Sequence, residues 1–173
     1  MIIAVWGFTG SGKNTLGELL AKSLGYPVIS PTFKDIAAKE GISLMEFQKK
    51  AELDHNIDKK FDELLKEQVA ATKGNCVVTT WLGPWMVKAD LRIKINVPLD
   101  VRAARVAKRD NISLEEARKH VEERDRQNIE RYRKVYGIDI TDDSIFDLQL
   151  DGEKNSPEEL LRQVLYFIKK REK

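Results

Sequence analysis

The 173-residue sequence has one cysteine, Cys76, five prolines and two histidines. A lone cysteine excludes a disulfide within the chain, and its place in an apolar run predicts a buried side chain rather than a reactive thiol. The isolated residues His55 and His120 do not form a metal-binding pattern. The apolar run at the N-terminus is too short to span a bilayer and lacks signal-peptide features, so we expect a cytoplasmic protein without a membrane partner.

An excess of charge of one sign is also missing, since 30 Lys and Arg residues accompany 28 Asp and Glu residues. This near balance argues against a dedicated polyanion binder, and acidic residues interrupt the most basic segment, so we expect no nucleic-acid partner. No repeat or low-complexity tract divides the chain. At this length we expect one domain over residues 1–173, a monomer that binds small molecules.

What is present is a phosphate-binding motif near the N-terminus. The apolar run 2–6 ends at Gly7, and Gly7, Gly12 and Lys13 satisfy the pattern G-x-x-x-x-G-K. Backbone N–H groups of such a loop (P-loop) point at a polyphosphate, the next helix adds its positive end, and the lysine reaches the outer phosphates. We therefore predict that ATP binds to Gly7, Phe8, Thr9, Gly10, Ser11, Gly12, Lys13, Asn14 and Thr15.

The residue after the loop lysine departs from the usual motif. Most P-loops have Ser or Thr there, whose hydroxyl binds Mg²⁺, whereas this chain has Asn14 followed by Thr15. An amide oxygen is a neutral, hard donor that suits this ion. We expect Asn14 or Thr15 to contact Mg²⁺ or a water molecule bound to it.

Apolar runs bounded by turns predict four further strands, at 28–30, 76–80, 91–97 and 146–150. Capping boxes predict helix starts at 43–46, 113–116 and 156–159. Strands that alternate with helices indicate parallel crossovers, hence a three-layer α/β fold with a five-stranded parallel sheet. Helical segments at 32–73 and 100–136 follow strands at the same sheet edge as the P-loop, so we expect both over the phosphates. A plain helical crossover is the alternative for 32–73.

The second helical segment is rich in arginine. Arg105 and Arg109 are four positions apart, and Arg124 and Arg131 are seven apart, so each pair shares a helix face. Guanidinium groups offer planar donor pairs to phosphate and stay charged when desolvated, so two facing pairs would clamp a nucleotide triphosphate. A solvated helix surface with Glu–Arg pairs is the alternative for any one of these arginines.

Several segments along the chain match one family of small kinases. They are the P-loop, Phe33-Lys34 followed by 41–47, Trp85-Met86, Arg124-Asp125 with Arg131-Tyr132, and 136–139. Together they resemble the short archaeal-type cytidylate kinases over nearly the whole chain. The resemblance implies a P-loop kinase fold with a monophosphate-binding insert at 32–73 and an arginine-rich lid at 108–136. It also implies that ATP, with Mg²⁺, donates its γ-phosphoryl group to a pyrimidine monophosphate such as CMP or dCMP.

The resemblance also suggests roles for single residues. The catalytic residues would be Lys13, Arg105, Arg109, Arg124 and Arg131. The acceptor would lie near Ser30, Thr32, Lys34 and Trp81. Asp125 would bind substrate, either by orienting one of the arginines or through the base.

Three positions differ from the pattern of that family. Lys34 stands where an arginine is usual, and Thr79 and Trp81 stand where an acidic residue and an arginine are usual. The indole of Trp81 could stack on a base or fill space. These differences leave two alternatives open: a kinase with another nucleotide or a small metabolite as acceptor, and an ATP-binding regulatory protein with weakened catalysis.

Overall fold

The computed structural model describes residues 1–43, 46–47 and 56–171, without the side chains of Phe33, Lys34 and Asp58. The strands are β1 (Ile2–Trp6), β2 (Val28–Ile29), β3 (Cys76–Val78), β4 (Leu91–Asn96) and β5 (Leu148–Asp151). The α-helices are α1 (Lys13–Leu24), α2 (Phe33–Glu40), α3 (Ile57–Ala71), α4 (Gly83–Met86), α5 (Leu99–Asp110), α6 (Leu114–Tyr136) and α7 (Pro157–Arg171).

The strands form one parallel sheet in the order β2-β3-β1-β4-β5. β1 is central, with Ile3 beside Val77 of β3 and Leu91 of β4. Its residues from Ile3 to Trp6 are buried because layers of structure cover both faces, which is why parallel strands read as continuous apolar runs. The predicted three-layer fold with a five-stranded parallel sheet is confirmed, although β3 ends at Val78 and β5 begins at Leu148.

One face of the sheet packs against α1 and α7. Leu20 of α1 and Val164 of α7 lie in the same buried cluster as Ile93 of β4. Gly17 allows α1 to approach the end of β3 closely, since a Cβ atom at this position would lie 2.2 Å from Cγ2 of Thr79. This close packing places the first turn of α1 beside the carboxyl edge of the sheet.

The opposite face carries α3 and α4 and, at its carboxyl end, an aromatic cluster. Trp6 at the end of β1 is fully buried, and its ring lies within 6.2 Å of each neighbouring ring, centre to centre. We call this cluster the aromatic floor; it comprises Trp6, Phe8, Trp81, Trp85 and Phe146. Cys76 on the same face is buried, as predicted.

The three predicted helix caps are confirmed. The hydroxyls of Ser43, Ser113 and Ser156 each accept a hydrogen bond from the backbone N–H three residues later, at 3.2 to 3.3 Å. These bonds satisfy N–H groups that have no partner inside a helix. In the described part of the chain, no helix is both long and apolar enough to cross a membrane.

Candidate nucleotide site

The P-loop connects β1 to α1 through two glycines with left-handed backbone. Gly10 has φ 79° and Gly12 has φ 91°, conformations that other residues adopt only at a cost. A Cβ atom at Gly10 would also lie 2.8 Å from the carbonyl oxygen of Arg102. The first turn of α1 has no acidic side chain, so the positive end of the helix remains available to an anion.

A buried ion pair holds the tip of this loop. Nη1 of Arg102 lies 2.6 Å from Oδ2 of Asp125 and donates to the Thr9 carbonyl at 3.0 Å, while Oδ1 of Asp125 accepts from the Thr9 N–H at 3.1 Å. Arg102 and Asp125 are both 8% exposed. Asp125, predicted to bind substrate, thus contacts the loop and α5. Sequence reasoning missed Arg102; its signal was its place beside Ala103 and four residues before Val106, on the buried face of α5.

A cavity of about 480 Å³ opens beside Lys13. Parts of α1, α3 and α6 and the segments after β2 and β3 form its walls. It brings together seven of the predicted site residues, namely Lys13, Asn14, Ser30, Thr32, Trp81, Arg124 and Arg131. The hydroxyl of Thr32 also caps α2, accepting from the N–H of Asp35 at 3.3 Å. The side chain of Lys34 lies outside the described residues.

Other side chains in this cavity were not predicted from the sequence. They include Phe61, Asp62, Gln127, Asn128, Tyr132 and Tyr136. Asp62 is 6% exposed, and its carboxylate accepts a hydrogen bond from the Tyr136 hydroxyl, which joins α3 to the end of α6. A signal for Asp62 was its position three residues before Leu65, on the buried face of α3.

The environment of Lys13 disfavours its charge. Burial is the main cause that lowers the pKa of Lys13 from its usual 10.5 to about 8; the cations Arg124 and Arg109 act in the same direction, and Asp125 opposes them. The ammonium nitrogen lies 5.2 Å from the centre of the Trp81 ring. Within the described residues Lys13 has no ion pair with a carboxylate. With a pKa of about 8, its side chain begins to lose its proton at mildly alkaline pH.

A second, smaller hollow of about 250 Å³ lies on the other side of the loop. Arg105 spans it, with Nη1 donating to the Ser11 carbonyl at 3.3 Å and Nη2 to the Gly152 carbonyl at 2.6 Å. Thr15 lines this hollow, whereas Asn14 lines the larger cavity. Arg109 lies at the surface in a two-bond pair with Asp110, at 2.6 and 2.8 Å. The two arginines therefore share a helix but have different partners.

Neutral oxygens are the donors that the loop offers to a metal ion. These are the amide oxygen of Asn14 and the hydroxyl of Thr15, which suit Mg²⁺ but attract it weakly. Within residues 1–43, 46–47 and 56–171, no three His, Cys, Asp or Glu side chains are grouped so as to hold a metal. The donor set therefore fits an ion that arrives with its own anionic ligands, as Mg²⁺ does when bound to ATP.

Comparison with known proteins assigns this arrangement to a family. The profile described as the cytidylate kinase-like family matches residues 2–154. The chain belongs to this family. It is 47% identical over 161 residues to a cytidylate kinase from Pyrococcus abyssi, covering 91% of this chain and 88% of the relative. It is 39% identical over 172 residues to a cytidylate kinase from Sulfurisphaera tokodaii, covering 97% and 95%.

Solved structures with the same fold include two that cover 98% of the chain. An uncharacterized protein from Eubacterium ventriosum has a TM-score of 0.71 at 16% identity over 98% of its own length. A shikimate kinase from Aquifex aeolicus has a TM-score of 0.62 at 27% identity over 96% of its length. The predicted P-loop kinase fold and the resemblance to cytidylate kinases are both confirmed.

The residues after β3 differ from those that the family resemblance led us to expect. Thr79 is 3% exposed and packs against Gly17 of α1, so a neutral side chain occupies the place where the resemblance led us to expect a carboxylate. Trp81 stands where an arginine was expected, and its carbonyl accepts a hydrogen bond from Nε1 of Trp6 at 2.9 Å. The segment after β3 thus contributes an aromatic ring rather than charge to the cavity.

Proposed function

We propose that the protein transfers the γ-phosphoryl group of ATP to a pyrimidine nucleoside monophosphate such as CMP or dCMP. The observation that carries this proposal is the cavity in which the P-loop lysine meets Arg124 and Arg131. Membership of the cytidylate kinase-like family supports it, as do relatives of nearly the same length that are named cytidylate kinases. The insert at 32–73 would then bind the monophosphate and the segment 108–136 would be the lid.

In the transition state of phosphoryl transfer, negative charge is spread over the oxygens of the transferred group. The protein therefore contributes mainly by positioning cations and excluding water. Backbone N–H groups of residues 7–15 hold the ATP phosphates in this proposal, and Lys13 contacts the outer ones. Arg124 and Arg131 stabilise the group in transit, because guanidinium groups remain charged when water leaves. Closure of the lid suppresses hydrolysis of ATP.

The smaller hollow is the proposed place for the adenosine part of ATP. It adjoins Gly12 and Thr15 of the P-loop and is bounded by Arg105, whose planar guanidinium group can lie against an aromatic base. Arg109, one turn further along α5, extends the positive charge toward the phosphates. The two hollows on either side of the loop thus separate donor from acceptor.

The acceptor occupies the larger cavity. Ser30 and Thr32 supply hydroxyls on one wall, Lys34 follows them on α2, and Trp81 offers an aromatic surface. Asp125 acts in this proposal by fixing the loop and the adjacent Arg124, rather than by contacting the base. The monomeric state and the cytoplasmic location stay predictions.

Mg²⁺ enters the proposal as the partner of ATP. Asn14 or Thr15 would hold the ion or its water molecules through a neutral oxygen, so most of its ligands would come from phosphate and water. When bound, the ion neutralises charge on the β- and γ-phosphates. A neutral oxygen of Asn14 or Thr15 holds the ion only weakly, so other residues of the chain have to orient the two substrates.

A coupled assay of ADP release over a panel of acceptors tests the function. The panel contains CMP, dCMP, UMP, AMP and shikimate, with ATP alone as the control for hydrolysis. We expect turnover to be fastest with CMP or dCMP. Turnover with a different acceptor and none with the pyrimidine monophosphates would refute the acceptor, and tight ATP binding without transfer to any of them would favour the regulatory alternative.

A further inference from the structure

Among the residues that the structure describes, no carboxylate forms an ion pair with the ammonium group of Lys13. Arg109 of α5 and Arg124 of α6 disfavour the cation, Asp125 of α6 favours it, and the segment after β3 presents the neutral Thr79. Asp125 is itself committed to Arg102 and to the loop backbone. A cation held in such surroundings needs another source of negative potential if it is to keep one position.

The ring of Trp81 is the group placed to supply that potential. The face of an indole ring is electronegative and attracts a cation within about 6 Å of its centre, and Nζ of Lys13 lies at 5.2 Å. The ring has a fixed orientation, since it packs edge to face against Trp6 at 86° and against Phe8 at 67°, both with centres 6.2 Å away. The hydrogen bond from Trp6 to the Trp81 carbonyl fixes its backbone.

An aromatic ring differs from a carboxylate in what happens when a triphosphate arrives. A carboxylate beside Lys13 would compete with the phosphates for the ammonium group and would repel them, because it carries a full negative charge. A ring attracts the cation through its quadrupole and has no net charge. It can therefore orient the lysine in the empty loop without opposing the entry of the anion.

We propose that Trp81 is a positioning residue for Lys13, whose indole face holds the ammonium group at the P-loop in place of a carboxylate. Its consequence for catalysis rests on the proposed kinase function, but the contact with Lys13 does not. This role differs from stacking on the acceptor base, because it acts on the donor side and is present without either substrate.

The test compares the side-chain NMR signals of labelled Lys13, assigned with Lys13→Arg, in four proteins without ligand. They are the wild type, Trp81→Leu, Trp81→Phe and the control Trp85→Leu, which makes the same change elsewhere in the aromatic floor. We expect the upfield ring-current shift of the Lys13 Hε protons to be lost in Trp81→Leu, to be smaller in Trp81→Phe, and to be kept in Trp85→Leu.

Kinetics supply the second readout. The kcat/KM for ATP should fall in Trp81→Leu by roughly 2- to 30-fold, with the KM of the acceptor unchanged. Unchanged Lys13 signals in Trp81→Leu would overturn the proposal, and a raised acceptor KM alone would show stacking instead. If Trp81→Leu does not fold, the Lys13 signals in Trp81→Phe decide, since an unchanged ring-current shift there contradicts the role. The NMR result stands whether or not CMP is the acceptor.

Discussion

The tip of the P-loop at Thr9 is held by a buried Arg102–Asp125 ion pair, whereas the lysine end at Lys13 lies between cations and an aromatic ring. At the tip every charge has a partner and the groups are nearly inaccessible to water. At the lysine end the neighbouring cations disfavour the charge of the side chain, and burial lowers its pKa. Within one loop of nine residues, the contacts at Thr9 fix the backbone, whereas the surroundings of Lys13 affect the charge of its side chain.

The difference follows from what each end has to do. Backbone amides must keep their direction whether or not a ligand is bound, and a buried charge pair with several hydrogen bonds enforces one geometry. In the proposed function Lys13 transfers its contacts to phosphate, so a weak partner before ATP binds is an advantage. Substitutions at the two ends should therefore separate stability from catalysis.

The largest expected effect is on stability, at the tip. Asp125→Ala leaves the guanidinium group of Arg102 buried without its carboxylate, which should lower the free energy of unfolding by about 3 to 5 kcal/mol. Urea denaturation measures it, with Glu115→Ala as the control, because Glu115 forms an exposed pair with Lys119 on the same helix. The control should change stability by less than about 1 kcal/mol. Equal losses of unfolding free energy in Asp125→Ala and Glu115→Ala would show that the buried ion pair does not stabilise the loop tip more than an exposed pair would.

The next effect is on catalysis, at the other end. Lys13→Ala should lower kcat/KM by at least about 100-fold, roughly 3 kcal/mol of transition-state stabilisation, since it removes a cation that the phosphates require. Stability should hold or rise, because a partly buried cation beside two arginines is removed. Steady-state kinetics and urea denaturation are compared with Lys22→Ala in the last turn of α1. Turnover near that of wild type would disprove the assignment of the lysine.

A third prediction concerns the packing of α1 against the end of β3, which positions Lys13. Gly17→Ala would stabilise an isolated helix by about 1 kcal/mol, but here the added methyl meets buried Thr79. We expect a net loss of about 1 to 3 kcal/mol from overpacking. Adding Thr79→Ser removes the opposing Cγ2 atom and should restore most of it. A stabilised single variant in thermal denaturation would contradict the close approach.

The smallest effect is expected away from both ends of the loop. Tyr136→Phe removes the hydrogen bond to Asp62 and should cost about 1 kcal/mol of stability. Because both residues line the larger cavity, the KM of the acceptor should rise while that of ATP stays constant. Tyr166→Phe, at an exposed position of α7, is the matched control. A change confined to ATP would place the acceptor elsewhere.

Local patterns were enough to predict much of this protein. The loop motif, the apolar strands and the capping boxes depend on residues close together in the chain, so the parallel sheet and the position of Lys13 at its carboxyl edge follow from sequence. The arginines at 124 and 131 follow from helical spacing, because the seven-residue interval places both on one face. Family resemblance added the pattern from which Thr79 and Trp81 depart.

Contacts between residues far apart in the chain could not be predicted from the sequence. Asp62 meets Tyr136 across 74 positions, and Arg102 meets Thr9 across 93, so no periodicity connects them. The family resemblance suggested that Asp125 binds substrate, whereas its carboxylate pairs with Arg102 of α5 and accepts from the Thr9 N–H. The separation of Asn14 from Thr15 into two hollows likewise depends on how α1 meets the rest of the protein.

Cys76 lies inside β3 with no surface accessible to water, and burial raises the pKa of its thiol. A thiol in that state reacts poorly with alkylating reagents, since reaction requires the exposed thiolate. The natural cysteine therefore reacts little with thiol reagents, so a label attaches mainly at cysteines that are introduced elsewhere. Cysteines introduced on exposed positions of α3 and α6 can carry a fluorophore pair, so the distance between these helices can be followed during turnover without first replacing a native residue.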